Sequence, residues 1–397
     1  MTTKFLITAL SLPLLLTQCG PKDNAAYDSF LAKANETMDS VYSHYGTDST
    51  FLLRENYPHD KGYEATYLAS QERPNEYSYL WPYSGTLSAM AAIYEATEDP
   101  AVLSEIESRV IPGLGNYYDE ARTPAAYSSY INNAPQSDRF YDDNIWLGID
   151  FTDLFLASSD ASYLDKAKTI WAFIESGTDD ALGGGIYWCE QKKHSKNTCS
   201  NAPGAVFALK LFKATSDSRY LEKGKELYGW TKDNLQDTAD FLYFDNINLK
   251  GEVNKTKFAY NSGQMLQAAS LLYKITGEES YLTDAENIAT SAFNYFLSGG
   301  EASDSLGVFP RFRNGDIWFD AVMVRGFIEL YTIDRNNEYM DAICRNLQYA
   351  WNNMREAETG LFNRDWACDR TDKRKWLLTQ AAFAEMFARA ASYHQHQ

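Results

Sequence analysis

Apolar positions recur along this chain in long stretches that are hydrophobic on most faces, and each stretch is followed by one with a single apolar face. The first kind covers residues 83–97, 143–157, 203–215, 261–276 and 320–333; the second includes 163–175, 220–235 and 281–297, where Lys, Glu and Asp fill the exposed spacing. Apolar residues three and four apart predict helices, here buried ones alternating with amphipathic ones. Between the members of each pair stands a polar phrase: EATEDPAVL ending at Leu103, ASSDASYL at Leu164, KATSDSRYL at Leu221, KITGEESYL at Leu282 and IDRNNEYM at Met340, at intervals of 57–61 residues. Its polar middle supplies a turn and an N-cap, so the repeating unit is a helical hairpin. A last apolar helix over 375–393 and an amphipathic one over 27–45 complete a set of twelve.

Six hairpins with apolar inner and amphipathic outer helices predict an all-α fold, an (α/α)6 toroid, as one domain over residues 27–397. An open solenoid is the rival, but it needs polar capping repeats, and the final stretch WLLTQAAFAEMFARAA is as apolar as the middle ones. In a toroid the starts of the inner helices gather at one end. The segments that enter them hold LWPYSG, FYDDNIW, KNTCSNAPG, AYNSGQ, DIWFDAVMVRG and KWLLTQ, rich in Trp, Tyr, Asn, Asp, Gln and Arg. That composition suits a cleft that stacks sugar rings and binds their hydroxyls. It marks Trp81, Tyr83, Tyr141, Trp146, Trp188, Asn197, Asn201, Tyr260, Asn261, Asp320 and Arg325 as candidate substrate contacts.

Asp142 and Asp143 stand side by side among Tyr141, Ile145 and Trp146. Adjacent carboxylates repel, and a helix start needs one capping acid. Glycoside hydrolysis with retention gives a reason for two, since it uses a pair of carboxyl groups roughly 5–5.5 Å apart. Asp179 and Asp180 are also adjacent, but they lie in the polar, Gly-rich TDDALGGG and read as a solvated turn. GGGIYW, residues 183–188, lacks the ending of a phosphate loop and reads as a tight turn that brings Tyr187 and Trp188 to the rim.

The formal charge of −18 argues against nucleic acid or an anionic membrane surface as partner. The five histidines have no metal-ligand spacing, so neither metal nor cofactor is expected. At the N-terminus, Lys4, the apolar run 5–16 and Cys19 have the layout of a bacterial lipoprotein signal over residues 1–19. Cys19 would then carry lipid, residues 20–26 would be a flexible tether, and the protein would be a monomer held at the cell envelope, on the outer membrane or cell surface. Cys189, Cys199, Cys344 and Cys368 remain, an even number. A local Cys189–Cys199 bridge and free buried thiols are both compatible with them.

YDDNIW, GGGIYW, the Lys196–Asn197 to Asn201 stretch, AYNSG and WFDAVMVRG, in this order along nearly the whole mature chain, resemble glycoside hydrolase family 76, the endo-α-1,6-mannanases. The resemblance implies an (α/α)6 fold and a retaining hydrolysis of α-1,6-linked mannan, such as the backbone of fungal cell-wall mannan. It also implies Asp142 as nucleophile and Asp143 as general acid and base. Ser262 and Asp320 depart from what the family often carries, which bears on subsites and on endo or exo action. A transglycosylase of the same fold and a glycan-binding lipoprotein without catalysis are the alternatives.

Overall fold

The computed structural model describes residues 25–47, 51–68, 76–367 and 373–395. The expected signal, Cys19, residues 20–24 of the tether and Cys368 lie outside them. Twelve helical stretches follow in order: α1 Ala25–Tyr45, α2 Leu80–Thr97, α3 made of Pro100–Glu105, a π turn Ile106–Val110 and Ile111–Gly115, α4 Tyr141–Ser158, α5 Ala161–Glu175, α6 Thr198–Thr215, α7 Ser218–Leu235, α8 Ala259–Thr276, α9 Glu279–Phe296, α10 Ile317–Asp334, α11 Asn337–Asn353 and α12 Leu377–Gln395. The even-numbered helices are buried along most of their length, and the odd-numbered ones present single apolar faces. Each even-numbered helix packs on the next, and α12 packs on both α10 and α2. The ring is therefore a closed (α/α)6 toroid, and an open solenoid is excluded.

The two ends of the ring are built differently. At one, each inner helix passes to the following outer helix through a two-residue turn. Glu98, Ser159, Ser216, Gly277 and Arg335 take left-handed backbone there, with φ from 50° to 71°. The Asp99, Asp160, Asp217 and Asn336 side chains then accept from backbone N–H groups of the next helix at 2.8–3.1 Å. This is the recurring polar phrase: a C-cap in αL followed by an N-cap. Gly277 adopts αL without steric penalty, whereas exposed Ser216 (φ 58°) does not. Ser216→Gly is expected to stabilise the fold by about 0.5–1 kcal/mol, read as a higher urea midpoint at unchanged slope.

At the other end the connections are long and carry the short strands β1 Asn56–Tyr57, β2 Tyr118–Asp119, β3 Ala126–Tyr127, β4 Ser195–Asn197, β5 Phe244–Asn248, β6 Val253–Lys257, β7 Glu301–Asp304, β8 Gly307–Pro310 and β9 Lys375–Trp376. β1 pairs antiparallel with β9, closing the seam between the first and last hairpins. β4, β5 and β6 form a three-stranded sheet.

Five inner helices start earlier than the apolar pattern indicates, α6 by five residues, because their first turns are held by these loops, whereas α12 starts at Leu377, after β9 has taken residues 375 and 376. The fourth residue of every inner helix does the fastening. Asn144 accepts from Tyr127 N–H (2.8 Å) and donates to Tyr127 C=O (2.9 Å); Asn201 does the same with Ile186 (2.6 and 2.9 Å), and Gln380 with Phe362 (2.7 and 3.1 Å). Each amide thus stands in for a strand partner. Ser262 accepts from Tyr243 N–H, Asp320 accepts from the Trp366 indole, and the Tyr83 hydroxyl donates to Phe51 C=O.

Candidate active site

Successive residues of a helix point about 100° apart. With the fourth residue facing the loops, the second and third face the mouth of the ring. Trp81, Asp142, Cys199, Tyr260 and Trp318 are second residues of five inner helices, Asp143 and Phe319 are third residues, and all seven line one cleft of about 530 Å3. Trp146, one turn below Asp142, forms the floor, its ring edge-to-face with Trp318 at 5.0 Å. Trp318 meets Trp81 edge-on at 5.4 Å, and Tyr260 stacks on Phe319 at 4.2 Å. Glu55 braces the wall from behind. Its buried carboxyl accepts from Tyr67 and from the Trp376 indole, both of which pack on Trp81. Burial raises its pKa and these donors oppose the rise.

The two aspartates have unequal surroundings. Asp142 accepts from the Trp188 indole at 3.0 Å, from the Cys199 thiol at 3.3 Å and from the Asp143 N–H at 3.1 Å. No hydrogen bond among the described residues reaches the Asp143 carboxyl. Burial lifts the Asp142 pKa to about 6 against those donors, while burial and then the Asp142 charge lift Asp143 well above the usual carboxylate range. The pair therefore ionises first at Asp142, and Asp143 is the acid that holds its proton to higher pH. Asp245, on β5, is a third acid in the cleft, raised by burial and opposed by Asn246 and Asn261.

Trp188 reaches Asp142 because the turn before it is tied down. Gly183, Gly184 and Gly185 all have positive φ, and a Cβ on Gly185 would stand 2.7 Å from the Trp230 ring. The wholly buried Lys196 ammonium donates to Asp179 Oδ1 (2.8 Å) and to the carbonyls of Ala181 (2.7 Å) and Gly184 (2.6 Å). Asp179 also accepts from Tyr187; both acids of the second pair are exposed, as expected of a solvated turn, but Asp179 is tied into it by these bonds. Tyr187 is itself buried, and only Trp188 of that dipeptide lines the cleft. Lys196→Met would leave two partly buried carbonyls without their donor. The expected loss is about 2–4 kcal/mol in urea unfolding, with activity falling further than the folded fraction because Trp188 is released.

Of the candidate contacts, Trp81, Trp146, Trp188, Asn197 and Tyr260 come together in the cleft with both aspartates. The others do not. Tyr83 and Asn201 are fourth residues engaged with loops. Tyr141, a first residue, points outward and stacks on Phe173 at 4.6 Å. Asn261 is buried behind Asp245. Asp320 faces a neighbouring pocket, beyond Phe319, and holds Trp366. Arg325 lies two turns below the mouth, bidentate to Glu385 at 2.6 and 2.9 Å. Cys189 and Cys199 form no bridge: Cys189 pairs with Phe140 through its backbone, and Cys199 turns to the axis. Cys344 is also free. Sequence reasoning passed over Cys199, Trp318, Phe319 and Asp245. The first three share the helix positions of Trp81 and Asp143, a signal that was available.

A profile described as Glycosyl hydrolase family 76 matches residues 29–396. Among solved structures, a family 76 glycoside hydrolase (mannosidase), Bt3792 from Bacteroides thetaiotaomicron, superposes with a TM-score of 0.84 at 33% identity, over 93% of this chain and 99% of that one. An inactive variant of the α-1,6-mannanase GH76A of Salegentibacter, with two consecutive aspartates changed to asparagine and α-1,6-mannotriose bound, superposes with a TM-score of 0.71 at 28% identity, over 91% and 99% of the two chains. Mannan endo-1,6-alpha-mannosidase DFG5 of Candida albicans is 23% identical over 150 residues, which are 34% of this chain and 33% of the relative's length. The match extends over nearly all of the helical ring, and on it the chain belongs to glycosyl hydrolase family 76.

Proposed function

We propose that this protein hydrolyses α-1,6-mannosidic linkages of mannan within the chain, with retention of configuration, while held to the cell envelope by lipid on Cys19. The observation that carries the reading is the unequal aspartate pair in an aromatic cleft. Asp142, oriented by three donors and ionised first, attacks the anomeric carbon. Asp143, still protonated, gives its proton to the departing glycosidic oxygen, leaving a mannosyl ester on Asp142. Asp143, now a carboxylate, takes a proton from water, whose oxygen attacks the same carbon and frees Asp142. Trp81, Trp188 and Tyr260 offer ring faces to the sugars, and Asn197 and Asp245 offer hydrogen-bonding groups. The mannotriose held by the Salegentibacter relative supports the linkage.

The test is to incubate the protein lacking residues 1–19 with linear α-1,6-mannan, size the products, and follow the anomer first released by NMR. Mid-size oligosaccharides appearing first as the α-anomer are the expected result. Transfer products in place of free sugars would assign a transglycosylase, and binding without cleavage a glycan-capturing lipoprotein.

A further inference from the structure

The Cys199 thiol makes and breaks no covalent bond in the reaction just described, yet it points at the carboxyl that starts it. Its sulfur lies 3.3 Å from Asp142 Oδ2, the same oxygen that receives the Trp188 indole. Cys199 is the second residue of α6, Asp142 the second of α4 and Tyr260 the second of α8, so three inner helices bring thiol, carboxyl and phenol to one point of the cleft. The Tyr260 side chain shares that part of the cleft with the sulfur, and its hydroxyl opposes the rise of the thiol pKa. We propose that Cys199 is a positioning residue whose S–H holds the Asp142 carboxyl aimed for attack.

The chemistry favours a donor over a nucleophile at this place. The groups that face the sulfur are Asp142 from α4, Asp245 from β5 and Tyr260 from α8. Burial and the two aspartate charges raise the thiol pKa well above its ordinary value, against the Tyr260 hydrogen bond. The sulfur therefore keeps its proton over the whole range in which Asp142 titrates, and a protonated thiol donates. The S–H donation lowers the Asp142 pKa and fixes its rotamer, while burial presses the other way. The larger radius of sulfur also fills the gap between α4 and α6 at the mouth, which the shorter Ser side chain fills less well.

The inference deepens the proposed reading and rests on it for its catalytic meaning, but the main readout needs no turnover. In protein labelled with 15N-tryptophan the nine indole N–H signals include that of Trp188, identified by its absence in Trp188→Phe. Because that indole donates to Asp142, its shift follows Asp142 ionisation. Cys199→Ala is expected to move the midpoint upward by roughly 0.5–1 pH unit, and Cys199→Ser to restore most of the shift. The acid limb of kcat/KM on α-1,6-mannan should move by the same amount. An unmoved midpoint in Cys199→Ala, with folding intact by circular dichroism, would overturn the proposal and leave Cys199 as packing. A moved midpoint in a protein that cleaves no mannan would sustain the positioning role and overturn the hydrolase reading instead.

Discussion

Asp142→Asn and Asp143→Asn should each lower mannan hydrolysis by at least about 10³-fold, and the two losses should be distinguishable. An aryl mannoside with a good leaving group needs no proton from Asp143, so formation of the mannosyl ester should recover in Asp143→Asn and stay absent in Asp142→Asn. Stability should move the opposite way from activity. Asp142 has its folded pKa raised to about 6, above an unfolded value of about 3.9. The native state thus holds this proton more tightly, and the associated stability, complete below about pH 4, is lost as pH rises through about 6. Asn cannot ionise. At pH 7 Asp142→Asn should be more stable than the parent by about 2 kcal/mol, a difference that vanishes near pH 4, as urea unfolding at both pH values would show. A parent and variant of equal stability at pH 7 would mean that the cleft solvates Asp142 better than its surroundings indicate. With the neighbouring charge gone, Asp143 should also titrate lower in Asp142→Asn.

The second large effect is expected in the axis of the ring. Position nine of an inner helix faces the same way as position two, two turns deeper. There Arg325 of α10 grips Glu385 of α12, stands 3.7 Å from Asp150 of α4, and lies beneath Trp146. Asp150 accepts from Ser88 of α2, and Arg389 also donates to Glu385. Three of six inner helices are joined by charges that are at least nine-tenths buried or nearly so, and α2 is tied to them through the Ser88 hydroxyl. Arg325→Met should destabilise the fold by about 3–5 kcal/mol, because Asp150 and Glu385 lose a shared cation that water cannot replace. Burial already holds Asp150 up at about 7 against the Arg325 charge, so the variant should take up a proton there, and Arg325→Met with Asp150→Asn should recover part of the loss. The KM of the folded variant should stay close to that of the parent. A large rise in KM with unchanged stability would return Arg325 to the substrate site.

These residues also show what periodicity conveys and what it omits. The repeat of the polar phrase was legible because every copy makes the same αL stop, and four of the five then cap the restart with an Asp or Asn side chain. The closed ring followed from an apolar last helix. Asp142 and Asp143 stood out as two acids where one suffices. Composition at the helix starts could not separate neighbours one residue apart, although one step rotates a side chain by about 100°. Trp81 and Tyr83 are equally aromatic, but one faces the cleft and the other a loop. Asn197 and Asn201 differ in the same way, and Arg325 differs from the mouth residues only in depth. Asp245 sits in a hairpin whose path over the cleft has no local sequence signature.

The direction of the first helix has a consequence for the whole assembly. The Tyr27 hydroxyl bonds to Ala96 C=O at the tight-turn end of the ring, while the Tyr45 hydroxyl bonds to Lys375 C=O at the cleft end. The chain thus enters the ring on the side opposite the cleft. If lipid on Cys19 roots it in a bilayer, the toroid stands on its base like a cup on a table, with its opening turned to the medium from which polysaccharide arrives.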